Sequence, residues 1–193
     1  MLNPKPTDGR HTLPMTSNPS TLRYTALAIV LHWLLALMIV ASFGVGLYMS
    51  DLPISPTRLK LYNWHKWAGV TILALSGLRL LWRLTHRPPA ATTGWQAGVA
   101  QATHVLLYAL FFVVPLLGWA YSSAAGFPVV WFGLLQLPDF VPVDKLLAEA
   151  IKPWHERSAM MMAGLVLLHV AGAAKHQWLD RDGLIRRMLP GRS

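Results

Sequence analysis

The sequence predicts an all-α membrane protein, a four-helix transmembrane bundle with both termini in the cytoplasm. Three observations lead there. Of the 193 residues, 54% are hydrophobic and only 13% are charged, against about 25% charged in ordinary soluble domains. Four long apolar segments are separated by charged or proline-containing breaks, and each reaches the ~20 residues needed to cross ~30 Å of hydrocarbon. Nine tryptophans and five tyrosines suit aromatic belts at the two membrane interfaces.

The elements follow in order. Residues 1–20 are rich in Pro, Ser, Thr and Asn and contain no apolar run, so they are expected to form a disordered tail rather than a signal peptide. The first span runs from about Tyr24 to Met49 without a charge, and a short loop with Pro53 and Pro56 follows. The second span, about Leu61 to Leu84, has Lys66 near one end and Arg79 and Arg83 near the other. After the break at 86–90 (HRPPA), the third span runs from about Gly98 to Ser123, closed by Gly126 and Pro128. A longer loop reaches Glu149, and its Trp131, Phe132 and Pro138 suggest a short interfacial segment. The fourth span runs from about Pro153 to His176. Residues 21–190 thus form a single membrane domain with no internal repeat.

Charge sets the orientation. The N-terminal tail, the second connection and the C-terminal tail, with their span ends, hold eleven Lys and Arg: Lys5, Arg10, Arg23, Arg79, Arg83, Arg87, Lys175, Arg181, Arg186, Arg187 and Arg192. The other two connections hold six: Arg58, Lys60, Lys66, Lys145, Lys152 and Arg157. The positive side faces the cytoplasm. The formal charge of +9 brackets apolar spans instead of forming a patch on a soluble face, which points to anchoring in membrane lipid and away from nucleic acid. The chain contains no cysteine, which excludes disulfides, iron–sulfur clusters, thiolate ligation and covalent haem attachment.

Four histidines carry the chemistry. His155 and His169 are fourteen residues apart in the fourth span, about four helical turns, so their imidazoles face nearly the same way ~21 Å apart. His32 lies in the first span and His65 in the second. Depth pairs them: His32 and His169 both sit toward the cytoplasmic side, His65 and His155 toward the other. Two pairs of imidazoles, each drawn from two helices, are what a bundle needs to ligate the irons of two haem groups, one histidine approaching each face of the ring. Gly69, Ser158 and Gly172, a turn from His65, His155 and His169, are expected to leave room for the macrocycle. Buried ionisable residues in membrane spans mark function by default. A zinc site lacks the accompanying Cys or buried carboxylate, and a proton relay would want Asp or Glu within the spans, where only Glu156 comes close.

His104 and His176 are open alternatives to His32 as a cytoplasmic-side ligand. His176, one heptad after His169, is also placed to hydrogen-bond a quinone carbonyl, with Arg79, Arg83 or Lys175 assisting.

The segments RYTALAIVLHW around His32, YNWHKWAG around His65, HVLLYALFFVVPLLGW in the third span, KPWHE around His155, LHVAGAAKH around His169 and His176, and the closing RDGLIRRMLP resemble the bacterial cytochrome b561 family. The resemblance covers about residues 21–190. It implies a multi-pass protein of the bacterial inner membrane with two haem b groups, whose axial ligands carry over onto His32, His65, His155 and His169. The compact members of that family that this chain resembles take electrons from superoxide at the periplasmic face and reduce ubiquinone. Lys66, Lys152 and Arg157, near the outer ligands, would then concentrate the anion. The same superfamily implies an alternative, a cytochrome b relay subunit between a periplasmic redox protein, such as a hydrogenase or dehydrogenase, and quinone.

Overall fold

A computed structural model describes residues 24–86, 94–181, 183 and 185–189. The predicted tail at 1–20 and most of the break at 86–90 lie outside these residues. Four long helices form the chain: α1 (Ala26–Asp51), α2 (Pro56–Thr85), α3 (Trp95–Ala124) and α4 (Lys145–Lys175). A two-residue antiparallel ladder, β1 (Val130–Trp131) with β2 (Leu135–Gln136), lies in the connection between α3 and α4. Each helix is long and apolar enough to cross a membrane.

Local signals account for the helix limits. Thr25 caps α1 by accepting from the Ala28 amide, and Asp144 caps α4 by accepting from those of Leu146 and Leu147; such caps satisfy amides that have no partner in the first turn. Ser55 caps α2, and Pro56 follows at its first position, where the missing N–H costs nothing and the fixed φ suits a helix. This corrects the loop expected up to about Leu61, because Pro56 starts the helix rather than ending a turn. α4 likewise begins eight residues before Pro153, which lies inside it. Hydropathy locates what fits hydrocarbon, whereas the helix itself extends past that boundary. After Lys175 the coil widens into a π turn, His176–Asp180, which closes at Arg181 in the left-handed conformation (φ 53°).

The expected interfacial segment is a β-hairpin. Gly133 turns it at φ 73°, and α2 pins it down: Trp67 Nε1 donates to the Val130 carbonyl at 2.6 Å, Lys66 Nζ to that of Pro128 at 3.2 Å, and Trp131 Nε1 to Thr71 Oγ1 at 3.1 Å. The connections α1–α2 and α3–α4 share this end of the bundle, called here the hairpin end. The start of α1, the end of α2, the start of α3 and the end of α4 share the other, the terminal end.

Leu35, Ile39, Ile72, Leu107, Leu110, Phe111, Val114 and Met162 form the buried core. In sequence they fall between the two levels of histidine; Met162 is seven residues from both His155 and His169. The bundle therefore has three layers along its axis, with imidazoles at either end of an apolar middle. α3 packs closely on α4, α1 on α2 and α2 on α3, while neither α1 nor α2 approaches α4 as closely. Leu37, Leu81, Leu167 and Val170 point outward, as lipid-facing side chains do.

Candidate functional site

The structure brings the four ligand candidates together in the expected pairs. The rings of His65 and His155 lie 6.2 Å apart between centroids at the hairpin end, and those of His32 and His169 lie 6.2 Å apart at the terminal end. An iron held about 2 Å from one nitrogen of each of two trans imidazoles sets their centroids about 6 Å apart. Both pairs meet that spacing. Among the described residues no group of three His, Asp or Glu side chains is placed to hold a metal ion by itself, so what each level offers a haem is a pair of imidazoles.

Hydrogen bonding fixes the hairpin-end rings further. His65 Nδ1 lies 3.0 Å from the Ser42 carbonyl, with Ser42 Oγ at 3.2 Å, and His155 Nδ1 lies 3.0 Å from the Val114 carbonyl. A carbonyl only accepts, so Nδ1 carries the proton in each ring and Nε2 keeps its lone pair for a metal. The two seats are built alike. Four residues after each acceptor comes a glycine, Gly46 after Ser42 and Gly118 after Val114. A Cβ on Gly46 would stand 3.2 Å from His65 Cε1, and one on Gly118 would stand 2.9 Å from His155 Cε1. Each imidazole rests in the notch of a glycine on the neighbouring helix and donates to a carbonyl one turn away.

These two glycines were missed in the sequence. Of the small residues expected to leave room for a macrocycle, a Cβ on Gly69 would make an ordinary contact with Pro115 at 3.9 Å, and one on Gly172 would meet open space. The available signal was the shared spacing from an acceptor to a glycine on α1 and α3, which becomes meaningful only once the neighbouring helices are known.

The terminal end is more crowded and more positive. His104 joins the group, with its ring 5.3 Å from that of His169. That is 0.9 Å shorter than the 6.2 Å between His32 and His169, so the His32 pair is the one whose spacing matches that of His65 with His155. Arg79 and Arg83 both lie 5.7 Å from the Tyr108 ring centroid, and Arg79 is within electrostatic range of both His32 and His169. His176 belongs to a separate group. Its Nδ1 lies 3.2 Å from Asp180 Oδ2, and Lys175 Nζ binds the same carboxylate at 2.6 Å. Arg79 is thus grouped with the histidine pair, and Lys175 with His176. The C-terminal 3₁₀ turn, Ile185–Met188, folds back to α1, where Trp33 Nε1 donates to the Met188 carbonyl at 2.7 Å.

The three cations expected near the outer ligands each have a neighbour. Lys66 holds the hairpin, Lys152 faces Glu156 at 3.7 Å, and the Arg157 guanidinium lies 5.9 Å from the Trp154 ring centroid. Lys152 and Arg157 are exposed, and an exposed i,i+4 pair such as Lys152–Glu156 holds its partners only weakly.

Comparison with known proteins gives the family. The family model described as prokaryotic cytochrome b561 matches residues 23–191. Cytochrome b561 homolog 2 of Escherichia coli (strain K12) is 28% identical over 181 residues, covering 92% of this chain and 95% of that protein. Cytochrome b561 homolog 1 of the same organism is 28% identical, covering 88% and 98%. A protein of Yersinia pestis named probable superoxide oxidase CybB is 27% identical, covering 87% and 96%. Paired imidazoles at two levels of a membrane bundle, and a family match over almost the whole length, lead to one conclusion: the chain belongs to the prokaryotic cytochrome b561 family of haem b-binding membrane proteins that carry electrons.

Proposed function

We propose that this protein is a superoxide:quinone oxidoreductase of the bacterial inner membrane, accepting electrons at the periplasmic hairpin end and delivering them to ubiquinone at the cytoplasmic terminal end. The observation that carries the reading is the stacking of two equivalent imidazole pairs, each at 6.2 Å, on either side of an apolar layer. Such an arrangement connects the two faces of a membrane. The Lys and Arg bias of the terminal end supports the orientation, and the name of the Yersinia pestis relative supports superoxide as donor.

Two haem b groups, held by His65 with His155 and by His32 with His169, would supply the one-electron iron chemistry. The residues do the rest. Lys66, Lys152 and Arg157 give the hairpin end a positive field that attracts an anion. Oxidation of superoxide to dioxygen releases one electron and no proton, so that end needs no acid or base. Two such events supply the two electrons that, with two protons from the cytoplasmic side, convert ubiquinone to ubiquinol. His176, half-buried and oriented by Asp180, is the donor placed to hold a quinone carbonyl. Arg79 adds positive charge where electrons arrive, which favours the reduced state there.

A second reading, a relay subunit serving a periplasmic redox protein, is favoured by one feature. The hairpin presents Leu134 at 90% exposure, and Phe127, just before it, is 65% exposed, an apolar surface on which a partner could dock. Stopped-flow mixing of the oxidised, quinone-loaded protein with superoxide separates the two. Haem reduction well ahead of spontaneous dismutation is expected. Reduction no faster than dismutation, with rapid reduction by a periplasmic protein, would select the relay.

A further inference from the structure

The two histidine pairs match in spacing but differ in what surrounds them. At the hairpin end both imidazoles donate Nδ1–H to a backbone carbonyl, Ser42 for His65 and Val114 for His155. The Glu156 carboxylate also acts on His155, but it is shared with Lys152 at 3.7 Å. At the terminal end His32 Nδ1 is buried without a hydrogen-bond partner, and His169 makes no hydrogen bond among the described residues. The charge acting on both of those rings is the Arg79 guanidinium, and no carboxylate among the described residues pairs with Arg79 or Arg83.

Both differences act in one direction. An acceptor on Nδ1–H makes an imidazole a stronger donor through Nε2 and so stabilises ferric iron; a ring without an acceptor does this less. A guanidinium in a low-dielectric interior favours the ferrous charge, and more so than exposed, solvent-screened cations at the hairpin end do. We infer that the chain builds a fixed redox polarity into the bundle, with the carbonyl-seated His65–His155 site at the lower potential and the Arg79-flanked His32–His169 site at the higher. An electron entering at the hairpin end then moves downhill to the terminal end, and Arg79 acts as a positioning charge that sets this direction. The inference rests on the two-haem reading proposed above and is independent of which donor supplies the electron.

The test is an equilibrium redox titration of the purified holoprotein, followed optically and needing no turnover. Two one-electron waves are expected. Arg79→Gln should lower the upper wave by a several-fold to tenfold change in its equilibrium, tenfold being ~59 mV for one electron, and leave the lower wave in place. Ser42→Ala keeps the Ser42 carbonyl but removes the Oγ contact to His65, and should raise only the lower wave by a smaller amount. Neither change removes a ligand, so both proteins should fold and keep two haems. A shift of the lower wave in Arg79→Gln, of the upper wave in Ser42→Ala, or a single unresolved potential for both haems would overturn the polarity while leaving the two-haem reading intact. One haem per chain in the unmutated protein would overturn both.

Discussion

Gly118 lies so close to His155 that a methyl group on its Cα would stand 2.9 Å from the ring carbon Cε1. The matching distance from Gly46 to His65 is 3.2 Å. Each ring is held against the notch by its hydrogen bond to a carbonyl one turn back, so it cannot withdraw without losing that bond. Gly118→Ala should therefore displace His155 and release the hairpin-end haem. Gly46→Ala, with a few tenths of an ångström more room, should keep more of it. Overpacking of this kind costs roughly 1–3 kcal/mol. Haem content per chain and thermal unfolding read the effect; full haem retention in both variants would contradict the notch.

Glu156 faces Lys152 at 3.7 Å and offsets part of the positive field at the hairpin end. Removing its charge with Glu156→Gln should raise the rate of reaction with superoxide, while Lys66→Glu, Lys152→Glu and Arg157→Glu should each lower it. All of these rates should fall as salt shortens the Debye length to ~8 Å at physiological ionic strength. Rates indifferent to both salt and charge reversal would remove these residues from the donor site.

His176→Ala should slow quinone reduction several-fold while both haems remain, and Asp180→Asn should do so more mildly, because Asp180 orients the ring rather than meeting the quinone. Spectra of the resting proteins check the haems, and ubiquinol formation checks the activity. Loss of a haem in His176→Ala would make His176 a ligand.

The hairpin is held to α2 by the bond from Trp67 Nε1 to the Val130 carbonyl. Trp67→Phe keeps the ring and removes the donor, leaving a part-buried carbonyl unpaired at a cost of about 1–3 kcal/mol. Hydrogen exchange should quicken across Val130–Gln136 without a change in the helices. Unchanged exchange there would mean that Lys66 and Trp131 suffice to hold the segment.

Much of this was legible in the chain. Fourteen residues between His155 and His169 place both on one face of a helix whatever its neighbours, and the Lys and Arg bias supplied the depths that paired them with His65 and His32. Hydropathy located the spans for the same reason, since it is a property of each segment alone. What escaped depended on neighbours. Gly46 and Gly118 serve histidines on other helices, so no local pattern marks them, whereas Gly69 and Gly172 share a helix with a ligand candidate and are visible from spacing alone. Pro56 shares a short segment with the breaker Pro53, yet Ser55 before it makes it a helix start. Depth and resemblance favour His32, with His104 as an alternative, and only the packed helices give the two spacings, 6.2 Å and 5.3 Å, to His169. The hairpin rests on three side chains of α2, and nothing in residues 130–136 alone announces them.

The central claim is that His65 with His155, and His32 with His169, hold two separate haems. It is tested most directly by replacing His32, His65, His104, His155 and His169 with Ala one at a time, then measuring haem per chain and the reduced-minus-oxidised spectrum of each protein. The account predicts that His65→Ala and His155→Ala lose the same spectral component, that His32→Ala and His169→Ala lose the other, and that His104→Ala keeps both. Loss of one shared component in His65→Ala and His169→Ala, or loss of a haem in His104→Ala with both retained in His32→Ala, would contradict it.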